Sequence, residues 1–197
     1  MIVHSQILES STNHIMVALS ETEIGKVILP NNLKFVSVNT GEELDFMNND
    51  PTIDKEIVSL KYANSINDLM PKFIRKQNWY SEDKKEHEMM VMERLEILPL
   101  NHFDLQTRTI MMESLAEKMK ELHDKMYVHG DFMRPTNFFN RGDKAWMFEN
   151  IVQTKDSLRL IDAGFGTICT RENVKMFVSI MMREREEIEY FRNYYLS

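Results

Sequence analysis

The sequence predicts an α+β protein in two parts: a small antiparallel β half over residues 1–98 and a mainly helical half over 99–197. Three observations predict it. Apolar, β-branched runs crowd the first third of the chain and are separated by short polar turns. One long amphipathic stripe at the helical period follows Pro99. The 43% hydrophobic and 28% charged fractions of the 197 residues belong to a chain that builds a packed core.

In order, HIMVAL (14–19), GKVILP (25–30) and LKFVSV (33–38) read as strands of a meander, broken by SETEI and NN. A helix follows TGEELDFMNNDP. Thr52 or Asp54 can cap it, and Ile53, Ile57 and Leu60 recur on one face through Ala63. MPKFIRK and EMMVMERLEIL are two further strands joined by the polar loop NWYSEDKKEH, and ERLEILPLNHF connects the halves. From Thr107 to Met126, Ile110, Met111, Leu115, Met119 and Leu122 form the apolar stripe of a helix, with Glu and Lys between them. That helix leads into His129-Gly130-Asp131. A loop, a hairpin made of KAWMFENIV and SLRLID, and a closing helix from about Arg171 to Tyr195 complete the chain. A ligand is expected in the cleft between the halves.

Charge and composition exclude several functions. The 24 Lys and Arg against 31 Asp and Glu give a net charge of −7, the wrong sign for a surface that binds nucleic acid through phosphates. The short cluster KFIRKQ reads as a solvated strand or turn. Cys169 stands alone, so no intrachain disulfide forms, and a reducing compartment is expected: the cytoplasm, including that of a host cell. The start MIVHSQILESSTNH lacks the basic and apolar regions of a secretion signal, and no apolar run is long enough to span a membrane. The sixteen methionines read as filling for an irregular core.

The stretches HGDFMRPTN (129–137) and LIDAGFG (160–166), in this order of elements, resemble the catalytic and metal-binding loops of the protein-kinase superfamily. The resemblance covers roughly residues 14 to 168. HGD in place of HRD is similar to the RIO-type and aminoglycoside-phosphotransferase-like kinases. The short C-terminal half is similar to minimal or truncated atypical kinases, such as bacterial effector kinases and viral kinase-like proteins. The resemblance implies a two-lobed fold with a β N-lobe and a truncated helical C-lobe. It implies ATP and Mg2+ as cofactors and a hydroxyl as phosphoryl acceptor.

By the same resemblance, Asp131 is the catalytic base, Asp162 and Asn137 hold the metal, and Glu56 pairs with a strand Lys that contacts phosphates. MMVMERLE resembles the strand entering a kinase hinge, with Met92 as gatekeeper and the backbone of Glu93 and Leu95 receiving adenine. The chemistry agrees with the residue types. Phosphoryl transfer needs a cation on the phosphates, a metal ion held by one or two carboxylates, and an acceptor for the hydroxyl proton. Gly164 lets the backbone turn close to phosphates.

Departures from the pattern matter as much. One register aligns FVSVN with the Lys strand and puts Asn39 where Lys is needed, with Lys26 or Lys34 as substitutes; its regular strand spacing favours it. The other treats IGKVIL as that strand and makes Lys26 the phosphate ligand, but leaves STNH as a loop without glycine. LSETEIGKV offers one Gly, with Glu21 and Glu23 nearby. The usual place of the loop Asn is Thr136, with Asn137 one residue further. DAG replaces DFG, and no Arg precedes Asp131. Only 35 residues follow Asp162. In REREEIEYFRNYY the charges read as i,i+4 pairs on a solvated face, or as a partner-binding helix. The expected function is a minimal serine/threonine protein kinase acting on a protein substrate. The alternatives are a pseudokinase that binds a regulatory protein partner and a small-molecule kinase.

Overall fold

A computed structural model describes residues 6–10, 14–29, 35–36, 43–44, 52–132 and 148–197. Lys34, Asn39, Thr136 and Asn137 lie outside these residues. The chain divides into two compact units, Met1–Lys55 with Ile74–Arg94, and Glu56–Phe73 with Leu95–Ser197.

The first unit is built on a five-stranded antiparallel sheet. Its strands are β1 (Gln6–Ser10), β2 (His14–Ala18), β3 (Glu23–Ile28), β6 (Phe73–Tyr80) and β7 (Glu86–Glu93), in the order β1-β2-β3-β7-β6. The sequence pattern missed β1, which pairs with β2 through a bulge between Ile7 and Glu9. A separate ribbon pairs β4 (Phe35–Val36) with β5 (Glu43–Leu44). Phe35–Val36, within LKFVSV, therefore pairs outside the five-stranded sheet. β3 takes the sheet's third place, between β2 and β7.

Register across the sheet explains the packing. Ile15, Val27 and Met89 lie in one cross-strand row, and Val17, Gly25 and Val91 in the next. Alternate residues share a face, so these rows form one apolar side. Val17, Val27, Met89 and Val91 are buried there, with Ile15, Leu19, Leu29 and Trp79 packed against them. The flexible Met89 side chain fills the space beside Gly25. Each fully buried side chain of this size contributes roughly 1.5–3 kcal/mol.

The second unit starts inside α1 (Ile53–Asn64), at Glu56. It continues with α2 (Leu105–Asp124), β8 (Tyr127–Val128), β9 (Ile151–Gln153), β10 (Leu158–Leu160), a 3-10 turn at Ala163–Phe165, β11 (Thr167–Ile168) and α3 (Val174–Leu196). Its boundaries differ from a single division at 98/99, because residues 56–73 are held by the second unit's own elements. Ser59 Oγ lies 2.8 Å from the Tyr127 hydroxyl. Tyr62 donates to the Lys125 carbonyl at 2.7 Å, and Asn67 to that of Lys118 at 2.9 Å.

Asp104 caps α2, its carboxylate accepting the Thr107 N–H at 2.8 Å. Met111, Leu115, Met119 and Leu122 are buried along this helix, as its stripe predicts, and so is Met112 outside the stripe, but Ile110 faces solvent at 62% exposure. The end of α3 closes the unit with rings: Phe148 packs 5.0 Å from Phe191, and Phe191 stacks at 5.3 Å on Tyr195. The Tyr195 hydroxyl donates to Gln153 Oε1. Among the described residues, no helix is long and apolar enough to cross a membrane.

Candidate functional site

Chain geometry brings His129-Gly130-Asp131 and Asp162-Ala163-Gly164 into one neighbourhood. β8, immediately before the first, pairs antiparallel with β11, just after the second: Val128 faces Thr167 and Tyr127 faces Ile168. The hairpin of β9 and β10 lies between them in sequence, and β10 runs directly into Asp162.

His129 is fully buried, and its Nε2 donates to the Ile161 carbonyl at 2.9 Å. The Asp131 N–H reaches His129 Nδ1 at 3.4 Å, so Nδ1 accepts and the hydrogen sits on Nε2. Asn150, buried just before β9, makes the central link. Its Nδ2 donates to the Asp131 carbonyl at 2.7 Å and to Asp131 Oδ2 at 3.1 Å. Its own carbonyl accepts the Ile161 N–H at 3.0 Å. The base candidate is thereby tied, through one asparagine, to the residue preceding Asp162.

Two backbone outliers sit here. Asp162 is left-handed at φ 63° and ψ 81°, and its Oδ1 accepts the Gly164 N–H at 3.2 Å. A non-glycine residue in that region is strained, and such strain concentrates at functional sites. Gly130 has φ +83°, and a Cβ on it would lie 2.4 Å from the Phe165 carbonyl oxygen, so no other residue fits.

From behind, α3 supports the same loop. Glu184, wholly buried, accepts the Gly130 N–H through Oε1 at 2.7 Å. Its Oε2 lies 2.7 Å from Nε2 of the buried His123 on α2. Arg183 donates to the Gly130 carbonyl at 2.7 Å and pairs with Glu187 at 3.3 Å. Burial pushes the Glu187 carboxyl up to about 7; Arg183 opposes this, while Glu184, Asp131 and Glu186 add to it. The charges of REREEIEYFRNYY are thus not all on a solvated face: Glu184 and Glu187 are buried, and Glu184 reaches the Gly130 N–H.

Tyr127 is packed beneath. Burial raises its proton affinity far above that of an ordinary tyrosine; the Ser59 hydrogen bond opposes this, and the Glu184 and Glu56 charges reinforce it.

The remaining expected residues fall as follows. Glu56 is 1% exposed on α1 in the second unit. Leu95 lies outside any helix or strand of the same unit and is half-buried. Lys26 is in the first unit, 6% exposed in the middle of β3. It is opposite Met16 on one side and Met90 on the other, and Ile24 opposes Met92 two residues along the same face. This face pairs one buried cation with apolar side chains. Glu93 ends β7 opposite Glu23, and Arg94 ties that end to the β2–β3 turn through N–H to Thr22 O and Nη1 to Ser20 O, both at 2.9 Å.

Asn150, Glu184, Arg183 and His123 were not expected from sequence. For Asn150 a signal existed: it lies immediately before the apolar run IVQ and twelve positions before Asp162.

The described residues of the second unit therefore hold a carboxylate, Asp131, whose Oδ2 is occupied by an amide. The same unit holds an amide oxygen on Asn150, which bonds Asp131 through its nitrogen, and a carboxylate on a strained backbone at Asp162. Such a set can accept a proton and offer oxygen ligands to a hard cation.

No protein-family model matches this chain, and no curated protein sequence matches it. Among solved structures, the kinase PK-1 of Cydia pomonella granulovirus is similar, at a TM-score of 0.50 and 13% identity, over 83% of this chain and 52% of its own. The chain spans about half the length of that structure. At this identity the likeness concerns architecture: the five-stranded antiparallel sheet and three helices are those of a truncated kinase-like fold.

Proposed function

We propose that the protein is an ATP- and magnesium-dependent phosphotransferase of minimal type that acts on a serine or threonine hydroxyl of a protein in a reducing cellular compartment. The observation that carries this reading is the double hydrogen bond from Asn150 to Asp131, with the Asn150 carbonyl on the Ile161 N–H. It spends the Asn150 amide nitrogen on the base and so reserves the amide oxygen for a cation. Asp162, carried on a left-handed backbone, is the carboxylate that would share that cation. Bound magnesium supplies neutralisation of charge on the phosphate oxygens.

The other roles follow from the side chains present. With Oδ2 held by Asn150, Asp131 has Oδ1 to orient an acceptor hydroxyl and take its proton. Lys26 supplies a cation for phosphates, and the apolar residues on its face of the sheet, Met16, Ile24, Met90 and Met92, suit an adenine ring. Glu93 would offer backbone groups to that ring.

Calorimetry with ADP and ATP, with and without magnesium, tests the reading on wild type and Asp162→Asn. Magnesium-dependent binding that the variant loses is the expected result. No nucleotide binding by wild type would sink it. The second reading, a binding module that keeps the fold without turnover and engages a regulatory protein, is favoured by one feature: Ser11-Thr12-Asn13, between β1 and β2, contains no glycine to let backbone approach phosphates.

A further inference from the structure

We infer that α3 works as a clamp on the catalytic loop, with Glu184 and Arg183 as positioning residues for Asp131. This rests on the reading of Asp131 as the base. The two peptide groups flanking Gly130 are held from the same helix by consecutive residues. The N–H of one goes to Glu184 Oε1 and the carbonyl of the other accepts from Arg183 Nη2, both at 2.7 Å. Each is a charge-assisted bond, about twice as strong as its neutral counterpart. Glu184 cannot drift, because His123 of α2 holds its other oxygen and it has no exposed surface.

Gly130 needs such a clamp. Its φ of +83° belongs to the one residue type with the widest backbone freedom, so the direction in which Asp131 leaves the loop is set by outside contacts. Asn150 fixes the Asp131 carboxylate from the opposite end. The base is then located by three elements, α2, α3 and the residue before β9, and a misplacement of about 1 Å in such a group costs on the order of a hundredfold in rate. An arginine and a buried glutamate on a closing helix thus join the site as a support that never touches the substrate.

Two full-length variants test the clamp. Glu184→Gln keeps the shape and removes the charge. Arg183→Ala removes a half-exposed side chain. Amide hydrogen exchange at Gly130 and Asp131, read by NMR, needs no turnover. We expect it to rise about threefold or more in Glu184→Gln, whose amide oxygen keeps only a neutral bond to the Gly130 N–H, and at least about tenfold in Arg183→Ala, which loses its bond outright, while amides of the first unit's sheet stay unchanged. In a phosphotransfer assay both variants lower kcat about tenfold or more and leave KM for ATP within about twofold. Unchanged exchange at Gly130 in both folded variants overturns the clamp. Raised exchange with an unaltered kcat overturns the positioning role. A wild type that binds no nucleotide and turns nothing over would overturn the phosphotransferase reading instead, and the exchange measurement would still decide the clamp.

Discussion

Asn150 reaches Asp131 twice, at 2.7 Å to its carbonyl and 3.1 Å to its carboxylate, although nineteen positions separate the two residues. That distance along the chain is why the asparagine escapes a spacing rule anchored on Asp131, which selects Asn137. Counting back from Asp162 through the β10–β9 hairpin selects Asn150 instead. The first prediction sets the two against each other. Asn150→Ala should lower kcat by about a hundredfold or more, the scale of losing a metal ligand that also orients the base. Asn137→Ala should stay within about threefold of wild type. Steady-state kinetics of both variants decides; the reverse order would return the metal to Asn137.

Lys26 carries the second prediction. Its strand lies between β2 and the strand that ends at Glu93, whereas Phe35–Val36 pair with Glu43–Leu44 in a ribbon outside the sheet. The sheet order therefore favours the register with Lys26 over the one that places Asn39 at the phosphates. Lys26→Met should weaken ATP binding about tenfold, or about 1.4 kcal/mol, and Lys34→Met should leave it unchanged. Titration calorimetry on the two variants is the check, and equal weakening by both would remove Lys26 from its role.

Glu187 predicts a pH dependence. Burial above all pushes its carboxyl from 4.5 up to about 7, reinforced by Glu184, Asp131 and Glu186 and opposed by Arg183. A folded-state value above the unfolded one means that the protonated form favours folding. That contribution is present in full below about 4.5 and is lost as pH rises through about 7. Glu187→Gln cannot ionise, so it should match wild type near pH 5 and melt higher than wild type at pH 8. The ion pair it gives up, at 3.3 Å to a half-exposed Arg183, is of a kind worth little. Melting temperatures at the two pH values decide, and a difference that does not grow with pH would be incompatible with a buried, elevated Glu187.

What could be read in the sequence follows the range of the signals. The α2 stripe is local and periodic, so Met111, Leu115, Met119 and Leu122 announce themselves, and they are buried. His129, Asp131 and Asp162 are short motifs, also local. Sheet order is not local: nothing in GKVILP or LKFVSV tells that Glu23–Ile28 pairs with Glu86–Glu93 while Phe35–Val36 pairs with Glu43–Leu44. Charge on a helix is ambiguous for the same reason. Glu184 and Glu186 look alike in REREEIE, yet only packing against α2 and the loop at Gly130 makes one fully buried and leaves the other exposed.

The last prediction concerns how α1 is fixed within the second unit. Ser59 Oγ and the Tyr127 hydroxyl lie 2.8 Å apart at 3% and 0% exposure, beneath the loop that Tyr127 precedes. A Cβ on Gly166 would sit 1.9 Å from that Ser59 oxygen, so the chain after Asp162 leaves no slack around the pair. Tyr127→Phe deprives a buried hydroxyl of its partner and should cost about 1–3 kcal/mol. Ser59→Ala should cost less, because the Tyr127 hydroxyl keeps the Met70 sulfur at 3.6 Å. The double variant should be more stable than the sum of the single losses, by about 0.5–2 kcal/mol, because no orphaned hydroxyl remains. Urea unfolding of the four proteins measures the coupling. Strict additivity would mean that the Ser59–Tyr127 hydrogen bond contributes nothing specific to holding α1.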